Sequence, residues 1–230
     1  MIQQPMEPIE LTRGERDRLR RAAVDLQERY AGVFGLETIE QLLVRTAEHL
    51  VERSTVYNRF RGVLFERLAA EQLEAMAKSR GRIGAGVPAV LFLCVHNAGR
   101  SQMALGWFAH LAAGQAYAWS GGSEPSESIN PSAVAAMAEV GVDISTGYAK
   151  PWTDEVLEAA DVVVTMGCGD ACPLRPGKRY EDWDIEDPDG RTLEEVRVIR
   201  DTIGLRVLGL LEELGITPDR DRLPDPTGGP

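Results

Sequence analysis

The chain has 230 residues, 43% of them hydrophobic, so it can bury one generous core or two smaller ones. Its formal net charge of −11 and pI near 4.9 exclude a general surface for nucleic acid or anionic membranes, because both would be repelled over most of the molecule. No stretch approaches the roughly 20 apolar residues of a membrane span, and the polar opening lacks the apolar segment of a secretory signal. These features predict a cytoplasmic protein without nucleic-acid or membrane partners.

Hydrophobic residues recur every three or four positions in three segments of the first 80 residues. This spacing is typical of amphipathic helices, which are predicted at residues 11–30, 38–51 and 57–77. Thr38 followed by Gln41 resembles a capping box at the start of the second segment. Because the joints between the segments are short, residues 1–80 are predicted to form a small three-helix bundle.

The Gly-rich stretch SRGRIGAGVP ends in proline and is typical of a linker, which is predicted at residues 81–87. After it, apolar runs alternate with amphipathic segments. Strands are predicted at residues 89–94, 116–120, 161–166 and 179–185, and helices at residues 101–112, 131–140, 153–160 and 193–214. The helix-start signals are Asn130 before Pro131, and Thr192 with Glu195. The alternation predicts an α/β domain at residues 88–216, with a parallel sheet flanked by helices, and residues 217–230 are predicted to be a frayed tail.

Residues 94–101, CVHNAGRS, connect the first predicted strand to the helix that follows it, and they include a cysteine and an arginine. Cys94 ends the strand and Arg100 opens the helix, where a helix amino terminus and a cation favour a thiolate. The loop N–H groups and the guanidinium would also bind a tetrahedral oxyanion. Gly99 permits close backbone approach, Asn97 tolerates left-handed dihedrals, and the Ser101 hydroxyl can donate to the thiolate. The alternative is a buried cysteine that precedes an arginine by chance.

Two further cysteines follow the apolar strand predicted at residues 161–166. If this strand neighbours the first one, about 4.8 Å away, Cys168 can approach Cys94 to the Cα separation that a disulfide needs, given some loop movement. Cys172 lies four residues further on, within exchange reach of Cys168. A zinc site is the competing use, but the three cysteines and three histidines do not assemble an obvious set of four ligands. A chance pair of structural cysteines is another alternative.

Three stretches carry a family resemblance: CVHNAGRSQMA, VVVTMGCGDACP and WDIEDPDG. In this order they resemble the arsenate reductases of the low-molecular-weight protein tyrosine phosphatase superfamily, over roughly residues 88–215. The resemblance implies a four-stranded parallel sheet of flavodoxin-like order, flanked by helices. It also implies that Cys94 is the nucleophile, Arg100 the oxyanion-binding arginine and Asp187 the general acid. The helices ahead of this region resemble an extension of some actinobacterial arsenate reductases.

The same resemblance implies how the thiols would act. Reduction of arsenate to arsenite takes two electrons, which two thiols supply when they become a disulfide. Cys94 would attack arsenic, Cys168 would then bond to Cys94, and Cys172 would move the disulfide to Cys168–Cys172 for reduction by thioredoxin. No metal or organic cofactor is implied, and phosphate or sulfate would compete with arsenate. The oxyanion-binding loop is predicted to comprise Val95, His96, Asn97, Ala98, Gly99, Arg100 and Ser101.

Other functions stay open at this point. A tyrosine phosphatase would use the same nucleophile, arginine and aspartate, but that branch usually carries glycine two residues after the nucleophile and cysteine just before the arginine. This chain has His96 and Gly99 there. A related branch of reductases takes electrons from a low-molecular-weight thiol such as mycothiol, with mycoredoxin, in place of thioredoxin. A non-catalytic anion-binding module is a third class, and Asp187 would then belong to a solvated turn.

Overall fold

A computed structural model describes residues 12–53, 61–168 and 174–219, without the side chains of residues 51–53, 61 and 62. The chain divides into two compact units, Met1–Ile83 and Gly84–Pro230. The division falls within the segment for which a linker is predicted. The predicted bounds of the linker, of the two domains and of the tail stay predictions.

The first unit is built from three α-helices, each of which contacts the other two. They are α1 (Arg13–Arg29), α2 (Leu36–Arg53) and α3 (Arg61–Ser79). Their apolar faces enclose one core, whose fully buried members include Ile39, Leu42, Leu43, Phe65, Leu68 and Leu73. A capping box at Thr12 and Glu15 starts α1, with the Thr12 N–H donating to the Glu15 carboxylate at 2.7 Å. Three helices are thus confirmed over the described residues, whereas position 11 of the first predicted helix and positions 57–60 of the third lie outside them.

The predicted start of the second helix is wrong. The helix α2 begins at Leu36, and the Gly35 carbonyl accepts its first backbone hydrogen bond at 3.2 Å. Thr38 therefore lies inside the first turn and cannot cap the helix. Gln41 donates its side-chain amide to the Glu37 carboxylate one turn back, at 3.3 Å. The error arises because a threonine three residues before a glutamine is also compatible with a helix interior, so the pattern alone does not fix the end.

The second unit alternates strands and helices along the chain. Its elements are β1 (Ala89–Cys94), α4 (Arg100–Ala112), β2 (Tyr117–Gly122), α5 (Pro131–Glu139), α6 (Asp154–Ala159), β3 (Val162–Met166), β4 (Arg179–Asp182) and α7 (Leu193–Glu213). Asn130 caps α5 through the Ala133 N–H at 3.0 Å, and Thr192 forms a capping box with Glu195 at the start of α7. Every predicted strand and helix of this unit is confirmed, with ends that agree to within a few residues.

The four strands form one parallel sheet in the order β2-β1-β3-β4. Alternate residues of the two central strands, Val90, Phe92, Val162 and Val164, pack into a core with residues of α4, α5 and α7, while α6 contacts β1. The chain leaves β1 for β2 on one side and later returns to β3 on the other. In such sheets ligands bind outside the carboxyl ends of the strands, at the point where strand order reverses.

The fourth strand is shorter than predicted. It ends at Asp182 rather than at position 185, and the Trp183 N–H still bonds to the Thr165 carbonyl at 2.8 Å. The pairing of β4 with β3 stops at Asp182, and further on the Ile185 carbonyl accepts a hydrogen bond from the Arg100 guanidinium at 3.3 Å. Within the described part of the chain, no helix is long and apolar enough to cross a membrane.

Candidate active site

Cys94 is the last residue of β1, and its sulfur faces the loop that follows. The residue is only 2% exposed, and its thiol is free. The Asn97 backbone N–H donates to the sulfur at 3.2 Å, and Ser101 Oγ lies 3.0 Å from it. Both contacts suit a thiolate, because an anionic sulfur accepts hydrogen bonds and a hydroxyl can donate one.

The loop after Cys94 points its backbone amides inward. The carbonyls of Val95, His96 and Ala98 accept hydrogen bonds from the amides of Glu124, Ser126 and Asn130 at 2.9 to 3.0 Å. Because a trans peptide is planar, the N–H that follows each of these carbonyls points the opposite way. The N–H groups of His96, Asn97 and Gly99 are thus directed away from residues 124–130. The loop forms a cradle of amide donors beside the sulfur, which suits an oxyanion.

Arg100 is the first residue of α4, and its side chain is only 9% exposed. Its guanidinium donates to the Ile185 carbonyl and forms an ion pair with Asp187, whose side chain is 42% exposed. Asp187 also accepts from the Asp189 N–H at 3.1 Å. The segment after β4 therefore contacts the Arg100 guanidinium twice, through the Ile185 carbonyl and through the Asp187 carboxylate.

Three glycines let the surrounding backbone approach this loop. Gly167, just after β3, has φ +74°, and a Cβ there would lie 2.8 Å from Arg100 Nη1. A Cβ on Gly122, at the end of β2, would lie 2.6 Å from the Val95 carbonyl oxygen, and one on Gly99 would collide with the Pro188 ring. A side chain at any of these positions would displace the loop or the arginine.

A cavity of about 360 Å³ opens beside the sulfur. Its lining includes Cys94, His96, Gly99, Arg100, Ser126, Ser128, Asn130 and Asp187. The cationic guanidinium, the helix amino terminus of α4 and the polar walls make this space suitable for a tetrahedral anion. The described residues contain no group of three or more His, Cys, Asp or Glu side chains that could hold a metal ion.

Cys168 follows β3 by two residues and is 6% exposed. In the pairing of β1 with β3, Cys94 lies opposite Met166, so both cysteines belong to the same edge of the sheet. Cys168 is disulfide-bonded, whereas Cys94 is free, so the two are not bonded to each other. Cys172 lies outside the described residues.

Two carboxylates at the start of α7 and on α5 have lowered pKa values. A hydrogen bond from Arg197 lowers the pKa of Glu139 and links α5 to α7. Hydrogen bonds from the Thr192 backbone and hydroxyl lower the pKa of Glu195 in the capping box. These contacts fix the beginning of α7, which follows the segment that carries Asp187.

Residues 89–217 match the family described as low molecular weight phosphotyrosine protein phosphatase. The match covers more than half of the chain and includes every element from β1 to α7. The chain belongs to this family. The family match includes the loop from Cys94 to Arg100, as well as Cys168 and Asp187.

Relatives of the chain within this family are named as arsenate reductases. A Synechocystis protein named glutaredoxin arsenate reductase is 39% identical over 128 residues, which are 54% of this chain and 97% of that protein. Arsenate reductase 1 of Staphylococcus haemolyticus is 38% identical over 129 residues, 54% of this chain and 96% of that protein. The resemblance predicted from the sequence is confirmed.

A solved structure extends the match toward the amino terminus. The thioredoxin-dependent arsenate reductase of Corynebacterium glutamicum is 38% identical, with a TM-score of 0.75, and the alignment covers 86% of this chain and 97% of that one. This share is larger than Gly84–Pro230 alone supplies, so part of the first unit is included. The predicted phosphatase-type sheet preceded by helices is confirmed.

The fold brings most of the predicted site residues of this family member together. Cys94, His96, Ala98, Gly99, Arg100 and Asp187 line the cavity, and Asn97 and Ser101 contact the sulfur. Val95 contributes its carbonyl to the outer wall of the loop. His96 is exposed and its Nδ1 lies 3.1 Å from the Glu124 carbonyl oxygen. The roles of all these residues stay predictions.

Several groups that shape the site were not predicted from the sequence. Gly167 directly follows a predicted strand and Gly122 follows another by two residues, which is a recognisable signal of close backbone approach. The Ile185 carbonyl and the polar wall of residues 126–130 depend on contacts between distant segments. Gln102, which lies beneath the loop, gave no signal because a glutamine in a helix is ordinarily a surface residue.

Proposed function

We propose that this protein reduces arsenate to arsenite, with Cys94 as the nucleophile. The oxyanion would bind between the inward amides of the loop and the Arg100 guanidinium. The names of relatives that are 38% to 39% identical support the substrate, and the buried sulfur beside a cavity that contains the Arg100 guanidinium supports the chemistry. Because the thiolate and the bound anion are held next to each other, the attack becomes effectively unimolecular, which lowers its entropic barrier.

The first step joins sulfur to arsenic. The Cys94 thiolate forms an S–As bond, and one arsenate hydroxyl group accepts a proton from Asp187 and leaves as water. Asp187 forms an ion pair with Arg100. Arsenate takes over the guanidinium, and the released Asp187 carboxylate takes up a proton from solvent, which it then gives to the departing hydroxyl group. Arsenic is still pentavalent at the end of this step.

The second step moves two electrons. The Cys168 thiolate attacks the Cys94 sulfur, the S–S bond forms, and the S–As electron pair stays on arsenic, which leaves as arsenite. The two thiols have then become the Cys94–Cys168 disulfide. The pairing of β1 with β3 supports this step, because it puts both cysteines at one edge of the sheet.

The third step restores the nucleophile. Cys172 attacks Cys168, the disulfide becomes Cys168–Cys172, and Cys94 is released as a thiolate. The free thiol of Cys94 beside a disulfide-bonded Cys168 is the arrangement expected after this exchange. A dithiol protein then reduces the disulfide. The likeness to a thioredoxin-dependent reductase over 86% of this chain supports thioredoxin as that donor.

One observation carries the proposal: a second cysteine lies two residues beyond the strand that pairs with the strand of the nucleophile. Phosphate-ester hydrolysis needs no second thiol, whereas a two-electron reduction does. A tyrosine phosphatase is the second candidate, since the nucleophile loop, Arg100 and Asp187 would serve phosphoryl transfer equally, and the family match supports it. A reductase coupled to mycothiol and mycoredoxin, or to glutaredoxin, is the alternative route for electrons.

The test compares the parent protein with Cys168→Ser. Arsenate-dependent NADPH consumption is followed with thioredoxin and thioredoxin reductase, beside a parallel assay with a low-molecular-weight thiol and its glutaredoxin-like partner. We expect the parent to turn over with thioredoxin and the variant to lose multiple turnover while it keeps hydrolysis of an aryl phosphate. Persistent thioredoxin-coupled turnover in Cys168→Ser would contradict the relay. Turnover of the aryl phosphate alone, by the parent, would favour the phosphatase.

A further inference from the structure

Gln102 lies in the first turn of α4, beneath the nucleophile loop rather than in the cavity. The residue is only 4% exposed. Its Nε2 lies 3.0 Å from Asn97 Oδ1, 3.1 Å from the Tyr148 carbonyl oxygen and 3.4 Å from Ser120 Oγ. A buried amide has to satisfy its donors, so these contacts fix the side chain in one position.

The orientation of both amides follows from their backbone partners. The Tyr148 carbonyl can only accept, so the Gln102 atom that faces it is the NH₂ group. The Lys150 N–H can only donate, so the Asn97 atom 3.0 Å from it is the oxygen. The Asn97 NH₂ group is then left to face Ser101 Oγ, at 2.8 Å.

The hydrogen bonds continue from Asn97 to the nucleophile. Ser101 Oγ accepts from the Asn97 NH₂ group, so its own proton is free to point at the Cys94 sulfur 3.0 Å away. Each bond in such a buried chain polarises the next. The chain runs from the Tyr148 carbonyl through Gln102, Asn97 and Ser101 to the sulfur.

Asn97 is the central member of this chain. Its backbone lies in the left-handed region, with φ +47°, which asparagine tolerates better than most residues other than glycine. The contacts to Gln102 and Lys150 hold its side-chain oxygen from two sides. Without Gln102, the Asn97 amide would keep only the Lys150 N–H on its oxygen and would be free to tilt away from Ser101.

We propose that Gln102 is a positioning residue for the nucleophile: it holds the Asn97 amide so that the Ser101 hydroxyl is directed at the Cys94 sulfur. This inference rests on the proposed function only in that Cys94 is the attacking group. Gln102 touches neither the sulfur nor the cavity, and its effect reaches the reaction through Asn97 and Ser101.

The test measures the thiolate itself, without arsenate. The full-length protein is alkylated with iodoacetamide across a range of pH, and mass spectrometry of the peptide that contains Cys94 follows this thiol alone. In Gln102→Met, which keeps the length of the side chain and removes both N–H donors, we expect the midpoint of the rate profile to move up by roughly 0.5 to 1 pH unit. Ser101→Ala should move it at least as far in the same direction.

A matched control is available on the same chain. Gln115 follows α4 and donates to the carbonyls of Ala112 and Thr217, both at 3.2 Å and both remote from the sulfur. Gln115→Met makes the same chemical change, and we expect its alkylation profile to coincide with that of the parent. Thermal unfolding of each variant shows that it is folded before the profiles are compared.

A second variant displaces the Gln102 side chain while residue 102 remains a glutamine. A Cβ on Gly147 would lie 2.9 Å from Gln102 Oε1 and 3.0 Å from the Ile144 carbonyl oxygen, so Gly147→Ala has to push the amide aside. We expect a shift of the profile in the same direction. If Gln102→Met does not fold, Gly147→Ala decides the question.

Profiles of the folded variants that superimpose on the parent would overturn the positioning role. Because alkylation involves no arsenate, this failure is distinct from a failure of the proposed function, which would appear as absent arsenate turnover in the parent. A raised midpoint in Gln102→Met, with Gln115→Met unchanged, supports the proposal.

Discussion

Arg100 and Asp187 form an ion pair at the edge of the cavity, although they lie 87 residues apart in the chain. The arginine is nearly buried at the start of α4, and the half-exposed aspartate comes from the segment after β4. A buried guanidinium needs a partner, and the Asp187 carboxylate supplies it. The pair therefore links the group proposed to bind arsenate with the group proposed to protonate its leaving oxygen.

Asp187→Asn should lower kcat for arsenate by about 10² to 10³-fold, because the amide has no proton to give to the departing oxygen. Inhibition by phosphate should be at least as strong as in the parent, since Asn removes a negative charge that competes for Arg100. Steady-state rates with thioredoxin measure the first effect. Asp184→Asn, an exposed aspartate of the same segment, is the matched control and should leave kcat unchanged. Equal rates in Asp187→Asn and the parent would contradict the general-acid role.

Arg100→Lys should weaken arsenate binding more than it weakens folding. Lysine keeps the positive charge but lacks the planar fork that pairs with two oxygens of an anion. We expect kcat/KM for arsenate to fall by about 10 to 100-fold, the range for loss of one charged hydrogen bond. The inhibition constant of phosphate should rise in parallel, which a competition assay measures. An unchanged phosphate constant would show that the anion binds elsewhere.

Gly167→Ala should cost both stability and substrate binding. The left-handed backbone at φ +74° disfavours alanine by about 1 to 2 kcal/mol, and the new Cβ collides with the Arg100 guanidinium. Gly141, at φ +76° with nothing within 4 Å of a Cβ, separates the two effects. We expect both alanine variants to lose similar free energy of unfolding, whereas only Gly167→Ala raises KM for arsenate. A normal KM in Gly167→Ala would mean that the arginine is not held there.

The Glu139–Arg197 pair should make part of the stability depend on pH. The pKa of Glu139 is lowered below 4.5 by the hydrogen bond from Arg197, against a smaller effect of burial in the other direction. A carboxylate with a lowered pKa stabilises the fold above its ordinary pKa, and this contribution is lost as pH falls through the lowered value. Glu139→Gln should thus lower Tm at pH 7, and the difference from the parent should shrink below about pH 4.5. A difference that is constant with pH would refute this linkage.

Local patterns predicted the secondary structure well because the forces that set it act over a few residues. The continuous apolar run that ends at Cys94 fixes β1, and Asn130 before Pro131 fixes the start of α5. The capping prediction at Thr38 failed for the same local reason, since nothing in the pattern tells a helix start from a helix interior. The end of β4 was also missed, because it depends on how far the strand pairs with β3, which is a distant part of the chain.

The loop after Cys94 could be located from local pattern alone, because a cysteine at a strand end and an arginine at a helix start lie six positions apart. The distant groups that complete the site became visible only in the folded protein. The pairing of β1 with β3 brings Cys168 to the same sheet edge, and Asp187 meets Arg100 there. Gln102 is buried against Asn97 by the same folding. These contacts join segments that are far apart in the chain. They depend on the order and register of the strands, which no short stretch of residues specifies.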